Sequence, residues 1–216
     1  MSKPPATVDF ARPPAALMVR AGRLATSTLH EAAGQIGALP SGIRPLDLNM
    51  RCCGPAFTVK GPPGDNLWLH HALALAAPGD VIVADVGGLH EAGYWGEVMT
   101  TQAMARKLGG LVIDGGVRDA QAMIAHGFPT FSRCISMRGT AKDRGFAGKL
   151  GVTIALGEAI ISAGDLVVGD GDGVVVIPRD RLEAAVAAGE AREEKEAAAM
   201  EKLRGGAMTV DMYGWR

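Results

Sequence analysis

The residues of this chain best suited to chemistry are one guanidinium and two carboxylates. Arg118 and Asp119 follow an apolar run, Leu111 to Ile113, and a glycine pair, Gly115-Gly116. Twenty residues separate Glu97 from Arg118. An arginine holds a carboxylate or a developing enolate through a planar fork of donors. A lone aspartate is a hard oxygen ligand for a cation such as magnesium, which keeps several waters and takes few protein ligands. The three groups could therefore converge on a small anion and a metal ion. Each also has a plainer reading: acids in the first turn of a helix favour its dipole, and an arginine beside them can be a surface charge.

Other groups carry the same two readings. In Gly96-Glu97-Val98-Met99-Thr100 a glycine opens a helix, so the backbone can approach a ligand and the free amides of the first turn can bind an anion. His70 and His71 are neighbours on a helix and point about 100° apart. At most one can face a site, as a proton carrier or the holder of a bound water. Glu31 and the acids Glu190, Glu193, Glu194, Glu196 and Glu201 read by themselves as solvated faces. Lys60 ends an apolar strand and could in principle form a Schiff base, but no neighbouring residue in the sequence marks it as an activated amine. The chain lacks a phosphate loop, a Gly-x-Gly-x-x-Gly run after a strand and a Gly-x-Ser-x-Gly elbow.

These groups need elements to hold them. Ala15 to Leu24 and Thr28 to Ile36 read as short helices. Phe57 to Val59 reads as a strand, and Asp65 as the N-cap of a helix over Asn66 to Ala77, which Pro78-Gly79 stops. Val81 to Val86 reads as a strand and Tyr94 to Lys107 as a helix with Val98, Met99, Ala103 and Leu108 inward. The strand at Leu111 is expected to break at Gly115-Gly116, with a helix over Ala120 to Ala125 and a strand over Thr130 to Ser132. Val152 to Leu156, Ala159 to Ile161, Leu166 to Val168 and Val174 to Ile177 are short β-rich runs, the last three separated by Gly-Asp turns. Arg179 to Arg204 is one alanine-rich, charged helix, too polar for a core element and suited to the surface or to another subunit. The architecture is α/β: strand–helix units, a compact β section after them, and helices at both ends. The chain reads as one domain over 1–216, with a loose arm over 1–14.

Composition narrows the classes. Lysine plus arginine is 22 against 23 for aspartate plus glutamate, so there is no basic field for nucleic acid. No apolar run is long enough to span a membrane. Met1 to Pro14 lacks the charged-then-apolar order of a signal peptide. Cys52, Cys53 and Cys134 form neither a disulfide framework nor a zinc spacing. A cytoplasmic protein is expected.

Longer motifs add a resemblance. His30-Glu31-Ala32, Gly64-Asp65-Asn66-Leu67, Pro78-Gly79-Asp80-Val81, Tyr94-Trp95-Gly96-Glu97, Gly110 to Asp119, Gly127-Phe128-Pro129 and Arg138-Gly139-Thr140-Ala141-Lys142 stand in this order along the chain. Gly164-Asp165, Asp172 to Val176 and the tail Val210 to Arg216 follow. With these, the chain resembles the class II aldolases that cleave 4-hydroxy-4-methyl-2-oxoglutarate and 4-carboxy-4-hydroxy-2-oxoadipate, related to the regulator of ribonuclease activity A. The resemblance covers roughly Leu24 to Arg216 and implies the swivelling β/β/α type of fold. It implies that Asp119 binds magnesium or manganese and that Arg118 holds the C2 oxygen of pyruvate. By the same likeness, backbone amides after Gly96, at Val98 and Met99, hold the carboxylate, and Glu97 and His70 stand just behind. Glu31 and a last-helix acid, Glu196 or alternatively Glu194, would come from a neighbouring subunit of a homotrimer or homohexamer. The implied activity releases pyruvate and oxaloacetate (or two pyruvates), with oxaloacetate decarboxylation on the side, in the breakdown of aromatic compounds. The position of Glu97 is often aspartate in the family, and Asp143 to Lys149 departs from its pattern. The alternative is a non-catalytic regulator of an RNA-processing enzyme; the set Glu31, Glu97, Arg118 and Asp119 speaks against it. A quinone methyltransferase of this fold is disfavoured by the missing nucleotide loop.

Overall fold

The computed structural model describes residues 4–145 and 147–216. In chain order its elements are α1 (Ala15–Ala21), α2 (Thr26–Ala32), β1 (Arg44–Pro45), β2 (Cys52–Lys60), α3 (Leu67–Leu75), β3 (Val81–Asp85), β4 (Gly93–Trp95), α4 (Glu97–Ala105), β5 (Gly110–Val117), α5 (Ala120–His126), β6 (Thr130–Ile135), β7 (Lys149–Leu150), β8 (Ile154–Leu156), β9 (Ala159–Ile161), β10 (Leu166–Asp170), β11 (Gly173–Ile177), α6 (Leu182–Arg204) and α7 (Thr209–Met212). Among the described residues one sheet runs in the order β1-β6-β5-β3-β2-β10-β11, with β4 added on β5 and β7 on β2. Its middle, β6-β5-β3-β2, is parallel. Parallel neighbours need crossovers, and α3, α4 and α5 supply them. The hairpin β10-β11 joins antiparallel to β2.

The sheet nearly closes on itself. Just before β1, the Leu39 amide donates to Val174 O at 2.9 Å and the Val176 amide to Gly37 O at 2.8 Å. Gly37 has φ +77°, and any Cβ there would run into the Val176 carbonyl, so this closure requires glycine. Inside the turn of the sheet lie Val83, Val112, Phe131, Val167 and Val176, capped by Ile154 and Ile161 of the β8-β9 hairpin. Outside it, Phe57, Ile82, Leu111 and Ile113 pack under Trp68, Leu73, Met99 and Met123 of the crossover helices. Leu166, Val168 and Ile177 pack against Leu24, Leu29, Leu182 and Val186 of α1, α2, α6 and their connections. Strands covered on both faces carry continuous apolar runs rather than alternation.

Several expectations change. The strand at Leu111 does not break at Gly115-Gly116; β5 continues through both, with a register irregularity between Ile113 and Gly116. The glycines instead admit β4 and its approach. A Cβ on Gly115 would meet the Tyr94 ring at 3.1 Å, and one on Gly116 would meet Ala92 O at 2.6 Å. The helix expected from Tyr94 starts only at Glu97, because Tyr94 and Trp95 pair in β4. Met99, Ala103 and Leu108 are buried, but Val98 is 79% exposed. Asp65 does not N-cap α3; Asn66 stands there. The buried Asp65 carboxylate accepts the Leu67 amide at 2.8 Å and the Asp143 amide at 2.5 Å, so it ties α3 to the loop that carries Lys142.

Of the stretch read as an arm, Met1 to Lys3 lie outside the described residues. Further along it, Arg12 makes a bidentate pair with Asp80, both contacts 2.8 Å, and stacks 4.2 Å from the Phe10 ring centroid. The polar α6 buries Leu182, Ala185, Val186 and Gly189 within this chain, on its first turns only. Among the described residues no helix is long and apolar enough to cross a membrane.

Candidate active site

Two parallel strand ends, β4 and β5, deliver the central groups. Trp95 O accepts the Arg118 amide at 2.8 Å, which locks the two ends side by side. The chain then turns into α5 through Asp119, whose backbone is left-handed (φ 55°, ψ 33°). Aspartate is one of the few side chains that tolerate this conformation. The turn aims the carboxylate back at the start of α4: Asp119 Oδ2 accepts the Glu97 amide at 3.1 Å and lies 3.7 Å from Arg118 Nε. Gly96 sits in the angle between them. A Cβ on Gly96 would collide with Asp119 Oδ2 and come within 3.1 Å of Arg118 Cγ. Glycine is needed there for close approach, since its extended backbone (φ −156°) is open to any residue.

Beside these groups lies a cleft of about 160 Å³, walled by Asn66 and His70 of the α3 segment, Val98 and Met99 of α4, and Arg118 and Asp119. Lys142 closes another side. The first intrahelical bond of α4 is that of the Thr100 amide to Gly96 O at 3.0 Å. The amides of Val98 and Met99 precede it and have no partner within the helix. The cleft carries two cationic side chains, Arg118 and Lys142, against the one carboxylate of Asp119. Burial, then the charge of Lys142 and of His71, lower the His70 pKa below its ordinary value. Both effects favour the neutral imidazole of His70. His71 turns the other way and packs edge-on against Trp68, ring centroids 5.6 Å apart, so one histidine of the pair reaches the site.

The predicted site residues fall into two groups. Arg118, Asp119, His70, Gly96, Val98 and Met99 share the cleft. Glu97 stands at its edge through its backbone, but its carboxylate is directed to His126, 3.1 Å away. Glu31 and Glu196 do not line this cleft. Arg192 gathers them on the α2–α6 face, pairing with Glu31 and, at 2.7 Å, with Glu196. Lys60 also lies elsewhere, 58% exposed and 3.7 Å from Asp85.

Lys142 and Asn66, which line the cleft, and His126, beside it, carry no local sequence signal of a site. Lys142 arrives through the pairing of Ala141 with Asp65, a contact no local pattern announces. Asn66 donates through Nδ2 to Tyr94 O at 2.8 Å. Its Oδ1 is buried with no hydrogen-bond partner among the described residues. Such an acceptor is costly to leave open. Of the segment Asp143 to Lys149, Phe146 lies outside the described residues.

A family model described as RraA-like, Aldolase/RraA, matches residues 26–176. The chain belongs to the RraA-like family. It is 34% identical over 188 residues to a protein of Halalkalibacterium halodurans named "Putative 4-hydroxy-4-methyl-2-oxoglutarate aldolase", covering 87% of this chain and 89% of that one. An uncharacterized protein from Pseudomonas syringae pv. tomato has the same fold, with TM-score 0.79 and 30% identity over 92% of this chain and 97% of its own. Streptomyces coelicolor RraAS2, described as an unusual member of the RNase ES inhibitor RraA family, also superposes at TM-score 0.79, with 27% identity over 89% of this chain and 99% of its own. The RraA-like fold is thus the mixed α/β, nearly closed sheet with flanking helices described above.

Proposed function

We propose that this protein is a divalent-cation-dependent aldolase. Its substrates would be 4-hydroxy-2-oxo acids, 4-carboxy-4-hydroxy-2-oxoadipate and 4-hydroxy-4-methyl-2-oxoglutarate, and its common product pyruvate. One observation supports the reading: Arg118, Asp119 and the first turn of α4, at Val98 and Met99, line a single cleft. That is the equipment for holding a 2-oxo carboxylate by both its functional groups. The name of the Halalkalibacterium relative supports the same class.

The residues suit magnesium or manganese rather than a metal held by many side chains. Among the described residues no group of three His, Cys, Asp or Glu is placed to hold a metal ion. Asp119 offers one carboxylate, 43% exposed, in a cleft that Asn66, with its unpartnered buried Oδ1, also lines. A hard cation that keeps most of its waters asks for no more. When bound at Asp119, it would supply Lewis acidity toward the 2-oxo group.

The chain's own residues would do the rest. The Val98 and Met99 amides hold the C1 carboxylate at the positive end of α4. Arg118 binds the C2 oxygen and stabilises it as negative charge develops there. The C4 hydroxyl gives up its proton, its C–O bond becomes a carbonyl, and the C3–C4 electron pair passes into the enolate of pyruvate. Neutral His70 is the proton carrier at that wall. Protonation at C3 then yields pyruvate. The same enolate arises from oxaloacetate on loss of carbon dioxide, so decarboxylation is expected alongside. Glu31 and Glu196, gathered by Arg192 outside their own cleft, would complete the cleft of a neighbouring copy in a trimer or hexamer.

The deciding test is pyruvate release from the two oxo acids, coupled to lactate dehydrogenase, with magnesium and with excess EDTA. Magnesium-dependent release is the expected result. No release from magnesium-loaded, folded protein would pass the reading to a binding protein of the same fold. Trapping of a borohydride adduct with pyruvate would replace the cation by a lysine.

The pH profile tests His70. Its pKa lies below the ordinary 6.5, so its neutral form persists above that value and is lost as pH falls through the folded pKa. Its contribution to stability has the same sign: present above pH 6.5, lost on further acidification. The acid limb of kcat/KM is expected below pH 6.5. It should disappear in His70→Gln and move up in Lys142→Gln, where one lowering charge is gone. An unchanged limb in His70→Gln would assign the proton to another group.

A further inference from the structure

The carboxylate of Glu97 is held. Its Oε1 lies 3.1 Å from Nε2 of His126, in the last turn of α5. An ionised carboxylate only accepts, so Nε2 carries the proton of this bond. Glu97 also donates its backbone amide to Asp119 Oδ2. Asp119 opens α5 and His126 ends it. One short helix therefore grips Glu97 twice, by the backbone at one end and by the side chain at the other. On the same turn, Gly96 and Val98 line the cleft.

We propose that His126 is a positioning residue for the Glu97 carboxylate. This rests on the cleft being the active site, and it adds a residue that the reading above does not use. A glutamate at the start of α4 has three free torsions and the whole rim of the cleft to sweep. The imidazole reduces that to one direction. The reach of glutamate makes the contact possible: aspartate is shorter by one carbon–carbon bond, about 1.5 Å, and would fall short of His126. Neither partner serves the core. The His126 and Glu97 side chains are 37% and 50% exposed, and a pair that open contributes little to stability. Its use is orientation. Because the Glu97 amide is hydrogen-bonded to Asp119 Oδ2, a swinging Glu97 disturbs Asp119 as well.

The test is a double-mutant cycle of wild type, His126→Phe, Glu97→Asp and the double variant. Two quantities are read: kcat and KM for pyruvate release, and the Mn2+ dissociation constant from the electron paramagnetic resonance of free Mn2+. His126→Phe is expected to lower kcat and weaken Mn2+ binding about tenfold each, the cost of losing a group that orients a site residue, with KM within about twofold. In the Glu97→Asp background, where the contact is already gone, His126→Phe should change neither quantity. His126→Gln, which keeps a donor, should recover most of the loss. Equal losses in both backgrounds, or no loss from His126→Phe, would overturn the proposal, because a structural effect of α5 would not depend on the length of residue 97. If the wild type binds Mn2+ but releases no pyruvate, the aldolase reading fails alone, and coupling or additivity in Mn2+ affinity decides the role of His126. A wild type that binds no Mn2+ and releases no pyruvate would overturn both.

Discussion

Asp119→Asn is expected to reduce pyruvate release by at least about 10³-fold, the several kcal/mol that cation catalysis contributes. Asparagine keeps the volume, tolerates the left-handed backbone at φ 55° and can still accept the Glu97 amide, which donates to Oδ2 at 3.1 Å. The α4–α5 junction should therefore survive, and thermal melting should be within a few degrees of wild type. What goes is the negative charge. In the cationic cleft formed with Arg118 and Lys142, that charge is the attraction for a divalent cation. Loss of turnover with an unchanged melt is the expected pair of results. If Asp119→Asn kept most of its activity, the cation would have to be held elsewhere or not be needed.

The second large effect is on stability and lies far along the chain from the cleft. Asp80 is fully buried, and its carboxylate accepts both arms of Arg12 at 2.8 Å and the Ala77 amide at 2.8 Å. Arg12→Ala would strand that charge with one backbone donor. Breaking a buried pair from one side is much worse than replacing both partners, and the cost here is about 3 kcal/mol, because Arg12 itself is partly solvated. For a chain of this size that lowers Tm by about 6–12 °C. Adding Asp80→Asn should restore part of the loss by removing the stranded charge. A melt unchanged in Arg12→Ala would show that solvent reaches Asp80 once the arginine is gone.

The Asp80 pair also shows where pattern reading stops. Proline-rich sequence before Pro14 suggested a loose arm, because nothing local marks Arg12 as the counter-ion of a residue 68 positions away. The glycines behave alike. Gly115-Gly116 looked like the end of a strand, since glycine weakens one. They lie within β5 because β4 crosses close enough that side chains would collide. Tyr94 and Trp95 fit a helical spacing with Met99, yet pair as strand, since the parallel contact with β5 outweighs a propensity worth tenths of a kcal/mol per residue. Val98 follows from the same shift: with α4 starting three residues later than expected, it stands at the cleft rim instead of in the core.

The chain alone determined the order of strand–helix units, the apolar runs that become doubly covered strands, and the identity of Arg118 and Asp119 as the pair after a buried strand. Those depend on local patterns of apolar residues and breakers, which the sequence carries directly. Only the tertiary structure decided which groups meet. It brought Lys142 to His70 through Asp65, turned His71 onto Trp68 while His70 faced the cleft, sent the Glu97 carboxylate to His126, and gathered Glu31 and Glu196 on Arg192 away from Arg118. The physical reason is the same in each case. The partners are far apart in sequence or face apart on a helix, and their meeting depends on sheet register and helix packing, which no spacing along one segment encodes.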